Sequence, residues 1–149
     1  MNNHRLILLA ATACSLLTAP FARAESDWLN DYKRAQQEAK TNNKFLLLDF
    51  TGSDWCGWCI KLDKEVFSKA EFKDYASKNL VLMEVDFPHA KPQSAELRKQ
   101  NQELAQEYRV EGFPTIVVLN GDGRPVGTLG YMPGGPSAFI AELEKLRKG

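Results

Sequence analysis

The chain has 149 residues, room for one domain of ordinary size. It is 44% hydrophobic and 26% charged with a formal net charge of zero, a balance that excludes a disordered tail, a collagen-like repeat and a multi-span membrane protein. Lysines and arginines are interspersed with acids, so there is no basic stripe and no nucleic-acid partner is expected.

The N-terminus has the layout of a secretory signal peptide: a charge at Arg5, a mostly apolar run over residues 6–18, and Ala22-Arg23-Ala24 in the A-x-A pattern of a cleavage site. The expected organisation is a leader, 1–24, and one domain, 25–149, placed in the periplasm or secreted. Cleavage after Ala24 leaves a net charge of −2. The alternative is a membrane-anchored N-terminus, within which Ala11-Thr12-Ala13-Cys14 is a poor lipobox match because apolar residues continue past Cys14. Cys14 leaves with the leader, so the remaining cysteines are Cys56 and Cys59, too few for a disulfide scaffold.

Along the remaining chain, Ser26 or Asp27 is expected to cap a first helix striped by Trp28, Leu29, Tyr32, Ala35 and Ala39 and stopped by Thr41-Asn42-Asn43. The unbroken apolar run Phe45 to Phe50 reads as a strand covered on both faces. Ile60, Leu62, Val66 and Phe67 predict a helix running on from Cys59, and Ser68 is placed to cap another containing Phe72 and Tyr75. Leu80 to Asp86 reads as a second buried strand. Ser94 opens a long helix with Leu97, Leu104, Ala105 and Tyr108. Thr115 to Leu119 is a third strand, Asn120-Gly121-Asp122-Gly123 a hairpin turn, and Val126 to Gly130 its antiparallel partner. Phe139, Ile140, Leu143 and Leu146 stripe a last helix. The predicted fold class is an α/β three-layer sandwich with a central mixed sheet.

The sharpest feature is Trp55-Cys56-Gly57-Trp58-Cys59, directly after an apolar strand and at a helix start. Unpaired backbone N–H groups and the helix dipole favour a negative sulfur there. A thiol of ordinary pKa near 8.5 is only about 3% thiolate at pH 7, and the thiolate is the attacking species. Cys56, nearer the exposed end, is therefore expected to attack a partner's disulfide, and Cys59, one turn in, to resolve the mixed disulfide. Two other readings are weaker. A staple closing so short a loop contributes only about 2 kcal/mol, and a structural zinc needs four ligands where only the two thiols and His89 are at hand.

Three separated pieces, Asp49-Phe50, Trp55-Cys56-Gly57-Trp58-Cys59 and Gly112-Phe113-Pro114-Thr115, come in an order that resembles the thioredoxin superfamily. The likeness is nearest to its exported members with a Thr-Gly-Ser-Asp-Trp-Cys-x-x-Cys stretch, and to the periplasmic domain of transmembrane disulfide reductases. The resemblance implies a thioredoxin-like fold with Cys56 as nucleophile, Cys59 as resolving thiol and Pro114 as a cis-proline. It also implies a docking surface made by Trp55, Gly57, Trp58, Phe113 and Pro114, with the backbone of Phe113 pairing with an extended substrate segment. Asp49 matches the family's buried acid, whose raised pKa would suit it to take the proton of Cys59; the alternative is an acid that only caps a loop. Three departures stand out. Trp58 replaces the proline common between the cysteines, the lysine that partners the acid would fall near Leu82 and is missing, and the 88–101 region is long. His89, in that region, reads as a solvated loop residue.

The expected function is an exported protein-disulfide oxidoreductase, with reduction favoured over oxidation. It would act on proteins carrying disulfides or thiols, use no cofactor or metal, and draw electrons from a membrane-bound donor. The competing class is a thioredoxin-fold module that binds copper or a client without turnover. A thiol peroxidase fits less well, because Cys56 lacks that group's Thr-x-x-Cys context.

Overall fold

A computed structural model of the chain describes residues 27–149. The leader, its cleavage site and Cys14 lie outside the described residues. Among the described residues no helix is long and apolar enough to cross a membrane.

The strand β2 (Phe45–Thr51) organises the rest. Its side chains alternate between two cores, as a strand's must. Leu47 faces one, with Leu62, Val66, Phe67, Phe72 and Phe139. Leu46, Leu48 and Phe50 face the other, with Ala35, Ala39, Val85 and Leu104. Two covered faces explain why this stretch reads as an unbroken apolar run. On one side β2 pairs in parallel with β3 (Leu80–Asp86), and on the other antiparallel with β4 (Thr115–Leu119). β5 (Pro125–Leu129) follows β4 as its hairpin partner. With the two-residue strand β1 (Trp28–Leu29) outside β3, the sheet order is β1-β3-β2-β4-β5. Helices α1 (Tyr32–Thr41) and α4 (Ala95–Glu107) contribute to the second core. Helices α2 (Gly57–Leu62), α3 (Ala70–Asn79) and α5 (Gly135–Lys148) contribute to the first. This is the three-layer α/β sandwich with a mixed sheet that the pattern of the sequence implies.

Three local expectations are corrected. The first helix starts at Tyr32, not at residue 27 or 28, and its cap is Asp31, whose carboxylate accepts the Arg34 N–H at 3.0 Å. Trp28 packs on the first core and Leu29 on the second. Adjacent residues facing opposite ways are the signature of a strand, and β1 pairs with β3 at Leu82 and Met83. Ser68 does not cap α3; that place is taken by Lys69 without a side-chain bond. Instead the Ser68 hydroxyl donates to the Asp63 carbonyl at 2.8 Å and its N–H reaches the same oxygen at 2.9 Å, ending a π-helical turn, Asp63–Phe67, that continues α2. The wider turn brings Phe67, five residues after Leu62, into the same core. Finally, β5 spans 125–129 rather than 126–130.

The hairpin and the α4 cap follow their sequence signals. The Asn120 side-chain oxygen accepts the N–H groups of Asp122 and Arg124, with Gly123 at φ 81°, where a side chain would be strained. The Ser94 hydroxyl accepts the Leu97 N–H at 3.1 Å.

Phe139 is fully buried against Phe67 and Phe72, with ring centroids 5.6 and 6.2 Å away. Phe139→Ala should lower the unfolding free energy in urea by about 3–5 kcal/mol, since the rigid rings around it leave a cavity rather than collapse. A loss below 1 kcal/mol would contradict this packing.

Candidate active site

β2 ends at Thr51, and the segment 52–55 turns the chain into α2. Gly52 is required in that turn, because a Cβ there would lie 2.5 Å from the Trp55 ring. Cys56 is the N-cap of α2 with extended backbone, and its sulfur accepts the Cys59 N–H at 3.3 Å. The two cysteines are joined as a disulfide, with Cα atoms 5.2 Å apart. Their exposure does not separate them, at 7% for Cys56 and 6% for Cys59, so the expected difference in accessibility is absent. Position distinguishes them instead. Cys56 stands outside the helix at its cap, whereas Cys59 lies within it and lines a cavity of about 300 Å³ together with Asp49, Asp63, Glu84 and Lys91.

Asp49 reaches this cavity from β2. The residue is only partly covered overall, yet its Oδ1 is buried and makes no hydrogen bond. Burial above all, and then the neighbouring charges of Glu84, Asp63 and Asp86, push its carboxyl up to about 8. Its strand neighbour is Glu84, two residues beyond Leu82, which pairs with Leu47. In register with Asp49 this chain therefore sets a second carboxyl, itself raised chiefly by burial. Glu84 and Asp63 are not legible as site residues in the sequence; a charge inside the apolar run of β3 is the available signal for Glu84, whereas Asp63 opens the π-helical turn and carries no such signal. A larger depression of about 730 Å³ lies around Arg34, Lys44 and Lys73 and touches neither cysteine.

The aromatic residues fall into two groups. Trp55, 43% exposed, donates its indole N–H to the Phe87 carbonyl at 2.8 Å, stacks flat on His89 at 4.4 Å and meets Phe113 edge-on at 6.0 Å. His89 is exposed, as expected, but its ring has this partner. Trp58, 57% exposed, lies 4.9 Å from Tyr131, and the Lys61 ammonium sits 5.0 Å from each ring. Gly57 between the cysteines is open to solvent. The Phe113–Pro114 peptide bond is cis, and the β4 ladder starts just beyond it at Thr115. The Trp55–Phe113 contact brings that segment beside the cysteine loop. Among the described residues, no group of three or more His, Cys, Asp or Glu is arranged to hold a metal ion.

A family model described as a thioredoxin-like domain matches residues 32–147. The chain belongs to the thioredoxin-like family. It is 39% identical to the disulfide bond reductase DsbH of Chlamydia pneumoniae over 88% of this chain and 78% of that protein. It is 34% identical to the thiol:disulfide interchange protein DsbD of Vibrio cholerae over 66% of this chain, but only 15% of that longer protein. A solved structure titled DsbH oxidoreductase superposes with a TM-score of 0.78 at 37% identity, covering 93% of this chain and 95% of the other. The fold, the cysteine pair and these relatives agree on thiol–disulfide chemistry.

Asp49 gives the site a distinctive pH dependence. Its folded-state pKa is raised above the unfolded value, so the native state holds the proton more tightly and loses stability as pH rises from 4 towards 8. Asp49→Asn removes this term. Its unfolding free energy relative to wild type should therefore improve by roughly 2–4 kcal/mol between pH 4 and pH 8. Parallel pH profiles for the two proteins in urea would show that Asp49 titrates normally.

Proposed function

We propose that the protein is an exported thiol–disulfide oxidoreductase that reduces disulfides in other proteins. The observation that carries this reading is a cysteine pair closed into a disulfide at a helix cap, over a cavity that holds an unbonded acid.

In the reduced protein, Cys56 is the nucleophile. The Cys59 N–H that points at its sulfur and the start of α2 favour the thiolate. The Cys56 thiolate attacks one sulfur of the client's disulfide, forming a mixed disulfide and releasing the other client sulfur as thiolate. Asp49 in its ionised form then takes the proton of Cys59, and the Cys59 thiolate attacks Cys56. The Cys56–Cys59 disulfide forms, the mixed disulfide breaks, and the client leaves with both sulfurs reduced. Two electrons pass from the protein to the client with no cofactor, and a membrane-bound reductase is the donor we assign to restore the dithiol.

Trp55, Gly57, Trp58, Phe113 and Pro114 form the face on which the client docks. An extended segment takes the Phe113 backbone, which lies outside the β4 ladder. We assign residues 1–24 as leader and 25–149 as the working domain, in the periplasm. The reductase and interchange names of the relatives support the thiol–disulfide reading.

Reduction of insulin with dithiothreitol as electron source should be rapid and abolished by Cys56→Ser. Cys59→Ser should accumulate mixed disulfides through Cys56, whereas Cys56→Ser should trap none. Equal trapping by both variants contradicts the assigned roles, and stoichiometric copper uptake without turnover replaces the enzyme with a binding module. An equilibrium potential against glutathione of about −270 mV supports the reductase direction, and one of about −120 mV makes the protein an oxidant.

A further inference from the structure

Ser53, Asp54 and Trp55 are fastened to the chain that leaves β3. The Asp54 carboxylate accepts three backbone N–H groups, those of His89 through Oδ1 at 2.9 Å and of Ala90 and Lys91 through Oδ2 at 2.7 and 3.1 Å. Ser53 donates to the Asp86 carboxylate from its N–H at 2.9 Å and from its hydroxyl at 2.5 Å, and that hydroxyl accepts the Lys91 ammonium at 3.0 Å. The Trp55 indole N–H completes the set on the Phe87 carbonyl. The amides wrapped around Asp54 hold its carboxyl below the usual range, His89 and Ala90 contributing most.

These bonds have a consequence for the aromatic face. They set the His89 ring parallel to Trp55, within 4°, and Trp55 in turn meets Phe113, which stacks on Phe87 at 5.1 Å. His89, Trp55, Phe113 and Phe87 thus form one continuous row of rings, with both ends on the chain that follows β3 and the residue before Cys56 within it. Without an anchor, the exposed 89–91 segment would have to be ordered each time a client bound, at the expense of affinity. A carboxylate suits the anchor. An amide keeps one acceptor oxygen and, in either orientation, turns a donor towards at least one of the three N–H groups.

We propose that Asp54 is a positioning residue for exchange with protein disulfides: by pinning residues 89–91 it keeps His89 flat on Trp55 and presents a fixed wall to an extended client segment beside Cys56. The proposal rests on the oxidoreductase reading and adds the element that selects polypeptide clients. A small disulfide reaches the sulfur without spanning the wall and depends on it less.

The test compares steady-state reduction of insulin with that of oxidised glutathione, with dithiothreitol as electron source and its uncatalysed rates subtracted, in the full-length protein and its variants. Asp54→Ala should raise the KM for insulin, relative to that for glutathione disulfide, by roughly five- to tenfold, with kcat for insulin changed less than twofold. Asp54→Asn should fall between, and Asp54→Glu should recover part of the loss. His89→Ala, which keeps the anchor and removes the ring, should reproduce the KM shift. Lys99→Ala, on the exposed face of α4, should leave the ratio at the wild-type value. Proton NMR should show the ring-current shift of His89 lost in Asp54→Ala. Equal losses on both disulfides, a fall confined to kcat, or an unaltered ratio in His89→Ala overturns the proposal while the enzyme reading stands. A wild-type protein that turns over neither disulfide overturns both. If Asp54→Ala does not fold, Asp54→Asn and His89→Ala decide the matter by the same ratio.

Discussion

The central strand β2 is held on every side: a strand pairs with each edge and a packed layer covers each face. Such a strand cannot slide by one residue without turning its whole apolar set into the wrong layer. That rigidity fixes two chemical groups at once. Asp49 is set two residues before the strand's end, facing the first core, and Cys56 stands at the mouth of the next helix. The backbone carries the geometry, and the side chains inherit it.

Against that frame, the acidic cavity is a local expense. Asp49 and Glu84 are neighbours in register on adjacent strands, and both are raised mainly because the protein withholds water from them. Two carboxyls in such a place do not both ionise readily. A fold selected only for stability would fill these positions with apolar residues like Leu47 and Leu82 two pairs earlier. A group able to hold or release a proton near neutral pH is what the chain obtains for the lost stability.

Much of this was legible in the sequence, and what was not has physical causes. The strands β2, β3 and β4 announced themselves because a segment covered on both faces is apolar throughout. The hairpin was equally plain, since its turn needs a residue at positive φ. The edge strand β1 was read as helix because Trp28 and Leu29 fit a helical stripe, and a pair of residues carries too little periodicity to say otherwise. Ser68 looked like a cap, but the π turn before it claimed its hydroxyl. At the site, the cysteine pair and Pro114 could be read from motif order. Glu84 beside Asp49 could not, because it follows from strand register. Asp54 was hidden for a similar reason: its partners are backbone amides more than thirty residues away, which no pattern of side chains encodes.

The two outer strands of the sheet deserve a last comparison. β1 offers only two residues of pairing, and β5 opens with Pro125, which has no N–H to give. Both rims are thereby blunted against stitching to a strand of another molecule, the usual route by which sheets aggregate. For the extended protein clients proposed above, this hazard would be greater than for most partners. With its lateral borders dulled and the Phe113 backbone left outside the β4 ladder, the fold would steer the proposed capture of a polypeptide to the place where the captured chain can be let go.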